Sequence, residues 1–337
     1  MRSRALVYLS ALHPRREQAA ARGGPSGEMF MSDSLLVGLD DLGFRTNRIG
    51  ALRSLLGLRM RQVLSFERPS AVFVDPWSFA LARHYRALPR TERGRTLVLD
   101  WFGTTAPVAE SLTLRDHLVP YPYPALENLF LGFILRLPND TWVADEDAVR
   151  AILARNSERP RRFGVVWGKE ARYFGFRERE LIEKIARRIP MHLTVNWHAA
   201  EPLSGEGIVN HGHLSPVDWR ELIGGACFVL GLGDPILGPT ALETLLAGAV
   251  LLNPVFERPR GVAGSPGVLF ECQHPFAASI GPPHVLPVDL NHHEGALRLV
   301  ETVISQGPAI AQEPLTHALS TFTRERYVRR LAEILRL

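Results

Sequence analysis

Short, fully apolar runs alternate with amphipathic stretches along most of this chain. In the first half, Ala5–Leu9, Arg45–Ile49, Ala71–Val74 and Thr96–Leu99 have the length, branching and polar boundaries of strands. A helix is predicted from near Met31 to a stop at Leu42-Gly43. The second half repeats the rhythm with strands at Arg162–Trp167, His192–Trp197, Gly207–Asn210, Cys227–Leu230, Val250–Leu252 and His284–Val288. Between them fall helices at Glu178–Arg188, Pro216–Ile223, Thr240–Ala247 and His293–Ser305, and Thr323–Leu337 ends the chain as an amphipathic helix. Strands apolar on both faces, each followed by a helix, describe parallel sheets covered on both sides. The fold class is α/β.

The polar stretch Arg155-Asn156-Ser157-Glu158-Arg159-Pro160 reads as a linker. The predicted organisation is an N-terminal Rossmann-like domain over 1–158, a second over 159–312 and a C-terminal helix over 313–337, which could pack back on the first domain. Two parallel-sheet domains that face each other make a cleft, and such sheets bind ligands at the carboxyl ends of their strands. The stretch from Asp100 to about Pro124, rich in Pro, Thr and Tyr, reads as a loop on the cleft side.

A chain of 337 residues suits two domains, and 46% hydrophobic with 22% charged residues excludes disorder. The net charge of +4 comes almost wholly from arginine, since Lys169 and Lys184 are the only lysines. It is too weak to demand nucleic acid. No apolar run reaches the ~18 residues of a membrane span, and Arg4–Leu12 is too short for a secretory signal followed by its cleavage site. Cys227 and Cys272 are too few for a disulfide framework and read as buried thiols in a reducing compartment. A soluble, cytoplasmic protein is expected.

The segment Gly231–Glu243 carries the clearest chemistry. A buried strand runs into Gly231 and Gly233, then a turn, then a helix opening at Gly238-Pro239-Thr240. Glycines permit close backbone approach, and a helix start offers unpaired N–H groups and partial positive charge to a phosphate. Glu243, one turn on, could accept bonds from ribose hydroxyls. A plain packing unit with a solvated Glu243 explains the spacing equally well. The segment is neither a Walker loop nor a full Gly-x-Gly-x-x-Gly.

This segment, with Gly248, Leu252–Phe256, Gln273–Phe276, Gly281–Val285 and Val288–Asn291, resembles the catalytic domain of the N-acetylglucosaminyltransferase V family. Upstream, Gly23–Glu28, Ser32-Asp33, Leu99–Thr104, Phe130–Phe133, Trp167–Lys169 and Asn210–Ser215 match in the same order. The likeness spans about residues 20 to 305. It implies a GT-B fold of two facing Rossmann-like domains and an inverting, metal-independent glycosyltransferase without a cofactor. The implied donor is a nucleotide-sugar, UDP-N-acetylglucosamine first. Inversion needs a carboxylate to take the acceptor's proton across from the departing diphosphate. The resemblance gives that role to Glu28, in a loop with Gly24 and Gly27; an acid favoured by a helix start is the plainer reading. It gives phosphate binding to Lys169, otherwise a surface lysine, and backbone framing of the site to His211, Gly212 and Leu214.

The family has an acidic residue where this chain has Leu237 and a lysine-containing stretch where this chain has Gly261–Gly267; Arg258 or Arg260 could replace that cation. The family's lumenal disulfides and anchor have no counterpart here, so a glycan, lipid-linked or small-molecule acceptor is expected instead of an N-glycan. Asp145-Glu146-Asp147 reads as a helix cap with first-turn acids and not as a metal motif. Asn139-Asp140-Thr141 is a glycosylation sequon without meaning in a cytoplasmic chain, and His292-His293-Glu294 lacks zinc spacing. The leucines and arginines of Ala51–Gln62 suit either a core-facing helix or a peripheral contact with an anionic membrane. A nucleotide-sugar epimerase and a non-catalytic nucleotide-sugar binding protein are the alternative functions.

Overall fold

The computed structural model describes residues 4–9, 27–50, 69–74, 96–99, 113–114, 127–129, 132–168, 170–197, 200–234, 238–262, 265–307 and 313–337. They form two compact units. The first comprises Met1–Ile134 together with Arg324–Leu337, and the second Leu135–Thr323.

In the first unit, β1 (Arg4–Leu9), β2 (Arg45–Gly50), β3 (Ala71–Val74), β4 (Thr96–Leu99), β5 (Thr113–Leu114) and β6 (Glu127–Leu129) form a sheet ordered β2-β1-β3-β4-β6-β5. All pairs are parallel except β5 with β6. Helix α1 (Gly27–Asp41) starts four residues before the predicted Met31, which puts Gly27 and Glu28 in its first turn. Gly43, at a φ of 74°, ends it in the left-handed conformation that glycine takes without strain. Phe30, Met31, Leu35, Leu36 and Leu39 of α1 are buried with Leu6, Leu9 and Phe73 of the sheet. Two buried serines share this interior: the Ile134 N–H donates to Ser34 Oγ at 3.0 Å, and that hydroxyl donates to the Phe30 carbonyl.

The last helix, Arg324–Leu335, packs on α1. Tyr327 and Leu331 press so closely on Gly38 that a Cβ there would lie 3.0 Å from both. Arg324 adds a two-pronged pair with Asp41 at 2.6 and 2.7 Å.

The second unit begins before the predicted boundary. Helix α2 (Glu146–Ser157) packs within it, so residues 135–158 belong to the second unit and not to the first domain. Asp145 caps α2 by accepting the Ala148 N–H at 2.8 Å, as its acidic triplet predicts. The sheet consists of β7 (Phe163–Trp167), β8 (Met191–Leu193), β9 (Ile208–Asn210), β10 (Ala226–Gly231), β11 (Val250–Val262), β12 (Ser265–Cys272) and β13 (Val285–Asp289). Its order is β12-β11-β10-β7-β8-β9, with β13 also on β11 and only β12 antiparallel.

Side chains alternate across these strands. Val166, Phe228 and Leu230 face the core shared with α3 (Phe176–Ala186) and α7 (His293–Gln306). Val165, Trp167 and Val229 face Trp219 and Ile223 of α4 (Pro216–Ile223), with Ala247 just beyond α5 (Pro239–Leu246). Helices α6 (Pro275–Ile280), α8 (Glu313–Ser320) and α9 (Arg324–Leu335) complete the chain. Cys227 and Cys272 are free and half-buried, less enclosed than predicted.

Candidate nucleotide-sugar site

In the second unit the carboxyl ends of β7 and β10 lie side by side, with Trp167 paired to Gly231. The loops that follow are tied together. The Tyr173 hydroxyl donates to Asp234 Oδ2 at 3.0 Å, and Arg172 donates to the same hydroxyl at 2.9 Å while pairing with Glu170. Burial and the Asp234 carboxylate push the Tyr173 phenol above its ordinary range. Gly233, at a φ of 132°, lies against the Tyr173 ring, 3.2 Å from where its Cβ would be.

Helix α5 opens at Gly238 with Pro239 at its first position and no side chain capping it. Its start is fixed from behind instead. His274 Nδ1 accepts the Ala277 N–H at 3.0 Å, which leaves the proton on Nε2 to donate to the Gly238 carbonyl at 3.2 Å. The main chain of His274 is in turn clasped by both ends of the Asn253 amide, at 3.0 and 3.2 Å. Burial lowers the His274 pKa to about 4, so the ring is neutral and its tautomer set. Gln273 lies across Gly231 at the end of β10, filling the space a side chain there would need. Gln273 and His274 therefore hold the uncapped start of α5 near the glycine turn that ends β10, and a helix N-terminus of this kind has N–H groups to offer an anion.

Glu243 has a different place from the one predicted. Its side chain is 6% exposed and pairs with Arg220 of α4 at 3.3 Å, so the carboxylate meets a guanidinium and not an open ribose site. Burial raises its pKa and Arg220 opposes the rise. Arg220 also donates to Asp140 at 2.7 Å, and Arg136 shares that carboxylate at 3.0 Å. The framing expected of His211 and Leu214 concerns main-chain groups, and their side chains pack within the second unit. His211 Nε2 meets His192 Nδ1 at 2.9 Å, with His192 stacked on Phe163 at 4.1 Å, and Leu214 packs against the core beneath the sheet. Gly212 has a φ of 67°, a turn that glycine makes freely. Thr240 is half-buried in the first turn of α5, where its carbonyl accepts the Thr244 hydroxyl.

In the first unit Gly27 and Glu28 begin α1. Gly24 and Lys169 lie outside the described residues, as do Ala51–Gln62 and almost all of the predicted Asp100–Pro124 loop. Sequence reasoning missed Tyr173 and Arg220 and left His274 without a role. An aromatic residue just past a strand end was the one available signal, for Tyr173. Among the described residues no cluster of His, Cys, Asp and Glu could hold a metal ion, and no helix is long and apolar enough to cross a membrane.

Solved structures share this architecture. AviGT4, a glycosyltransferase involved in avilamycin A biosynthesis, superposes with a TM-score of 0.56 over 98% of this chain and 97% of its own, at 14% identity. The glycotransferase of kitacinnamycin gives 0.53 over 99% of each chain at 12% identity. A putative UDP-N-acetylglucosamine 2-epimerase from Listeria monocytogenes gives 0.51 over 98% and 95% at 10%. The fold is GT-B, two Rossmann-like units with parallel sheets.

Among curated proteins, the Caenorhabditis elegans alpha-1,6-mannosylglycoprotein 6-beta-N-acetylglucosaminyltransferase is 27% identical over 90% of this chain and 50% of its own length. The human form B is 29% identical over 81% and 38%. The chain thus spans half or less of the length of these relatives. The sequence model of glycosyltransferase family 18 matches residues 1–335, and the chain belongs to that family.

Proposed function

We propose that this chain is an inverting glycosyltransferase that moves N-acetylglucosamine from UDP-N-acetylglucosamine to an acceptor hydroxyl without a metal. The family match along nearly the whole chain carries the reading, and the activity for which the relatives are named supplies the sugar. The open start of α5 supports it physically. As the glycosidic bond to the diphosphate breaks, negative charge grows on the leaving oxygens, and preorganised N–H donors meet it without reorganising. Lys169 would add a full positive charge. Glu28 would accept the acceptor's proton as its oxygen bonds to the anomeric carbon from the opposite face. Glu243 has no part in this reading, because its carboxylate is held by Arg220.

Incubation with UDP-N-acetylglucosamine, with and without glycan, lipid-linked and small-molecule hydroxyl acceptors, tests the proposal. Transfer with inversion in the presence of EDTA is the expected result. Epimerisation of the donor without an acceptor, or binding without reaction across the panel, would replace it by one of the two alternatives.

A further inference from the structure

A cavity of about 320 Å³ opens in the second unit between α2, α4 and α5. Its walls include the last residues of α4 and α5 and the end of α2 just before β7 begins. That is the amino-terminal end of the parallel strands, away from the Gly238 helix start. The volume lies at the lower end of small-ligand sites, roughly 300–1,000 Å³.

Four arginines line it, Arg136, Arg155, Arg159 and Arg220, against one carboxylate, Glu243. Arg136 and Arg220 share Asp140, and Arg220 also holds Glu243, so two carboxylates answer two of the four cations. Arg155 and Arg159, both exposed on the α2 side, form no ion pair among the described residues. The guanidinium of Arg159 lies over Gly224, where a Cβ would come within 2.7 Å of Nη1; the absence of a side chain at Gly224 gives that head its place. Deeper in the wall, Arg220 is 3% exposed and its Nε has no hydrogen-bond partner. Asn156, also buried, has an Oδ1 without one.

Planar guanidinium groups bind carboxylate and phosphate oxygens through paired, charge-assisted N–H donors. We infer that this cavity binds a small oxyanion-bearing molecule, a phosphate monoester or a carboxylate, through Arg155 and Arg159 with Arg220 at its inner end. The site is independent of the proposed transfer reaction and shares no residue with the strand carboxyl ends.

Calorimetric titration of inorganic phosphate and of citrate into the protein saturated with UDP tests this. UDP is present so that the α5 start is not counted as the site. Saturable one-to-one binding of one of the two anions is expected, and the preferred one names the ligand class. R155A/R159A should bind about tenfold more weakly or worse, and R155Q and R159Q singly several-fold more weakly, with the thermal midpoint unchanged. No saturable binding of either anion, or equal affinity in the variants, would overturn the site.

Discussion

Glu243 Oε1 and Arg220 Nη1 lie 3.3 Å apart, in side chains only 6% and 3% exposed. The pair bolts α5 to α4. Removing one member of such a pair strands the other charge in a place water cannot reach. R220A should therefore lose about 3–5 kcal/mol of stability at neutral pH, and E243Q should lose less, since Arg220 keeps its pair with Asp140. Urea unfolding of the three proteins ranks them. Equal stability of R220A and wild type would show that the pair does not hold the helices.

Gly231 and Gln273 make a second such fit. G231A should destabilise the protein by about 1–3 kcal/mol through overpacking, because its methyl would enter the space of the Gln273 amide. Adding Q273G should recover most of that loss, and a double-mutant cycle by chemical denaturation reads the coupling. Simple additivity would refute the contact.

His274 sets a pH response. Its folded pKa is about 4 against an ordinary 6.5, because burial disfavours the charged ring. The unfolded chain therefore binds the proton more tightly. The stability that the neutral ring contributes is complete above about pH 6.5 and drains away as the pH falls from there to about 4. His192 and His284 are shifted in the same direction by burial and reinforce the slope. Denaturation midpoints between pH 7 and 4 should fall more gently for H274Q than for wild type, and parallel curves would remove His274 as the cause.

E28Q should keep UDP-N-acetylglucosamine binding and lose about 10²- to 10⁴-fold in turnover, the span of general base catalysis. Donor affinity by calorimetry and initial rates on the best acceptor separate the two effects. Near-normal turnover would take the role away from this residue.

Local signals made α4 legible to the residue. Ser215 accepts the Asp218 N–H as its cap and Pro216 takes the first position, so both the pattern and the chemistry of its start are in the sequence. Strand β11 was read as Val250–Leu252 but runs on to Val262, since Pro254 and the exposed arginines beyond it break the buried-strand pattern while the chain stays extended against β12. The uncapped start of α5 was visible as glycines and a proline in a row. The fate of Glu243 was not, because its partner lies 23 residues away on another helix and only packing brings them together. The membership of residues 135–158 was hidden for the same reason: a polar stretch at Arg155–Pro160 marks a turn, and nothing local says which core the preceding helix joins.

Because the final helix inserts Tyr327 and Leu331 against Gly38, the polypeptide leaves its first unit, builds the second and comes home to close the first. Neither half of a simple cut is then whole. A protein ending at Thr323 should fold its second unit, residues 135–323, yet leave α1 bare along the flank that Tyr327 and Leu331 cover. Limited proteolysis of that truncation should nick the amino-terminal third first, so damage at one extremity of the chain would surface at the other.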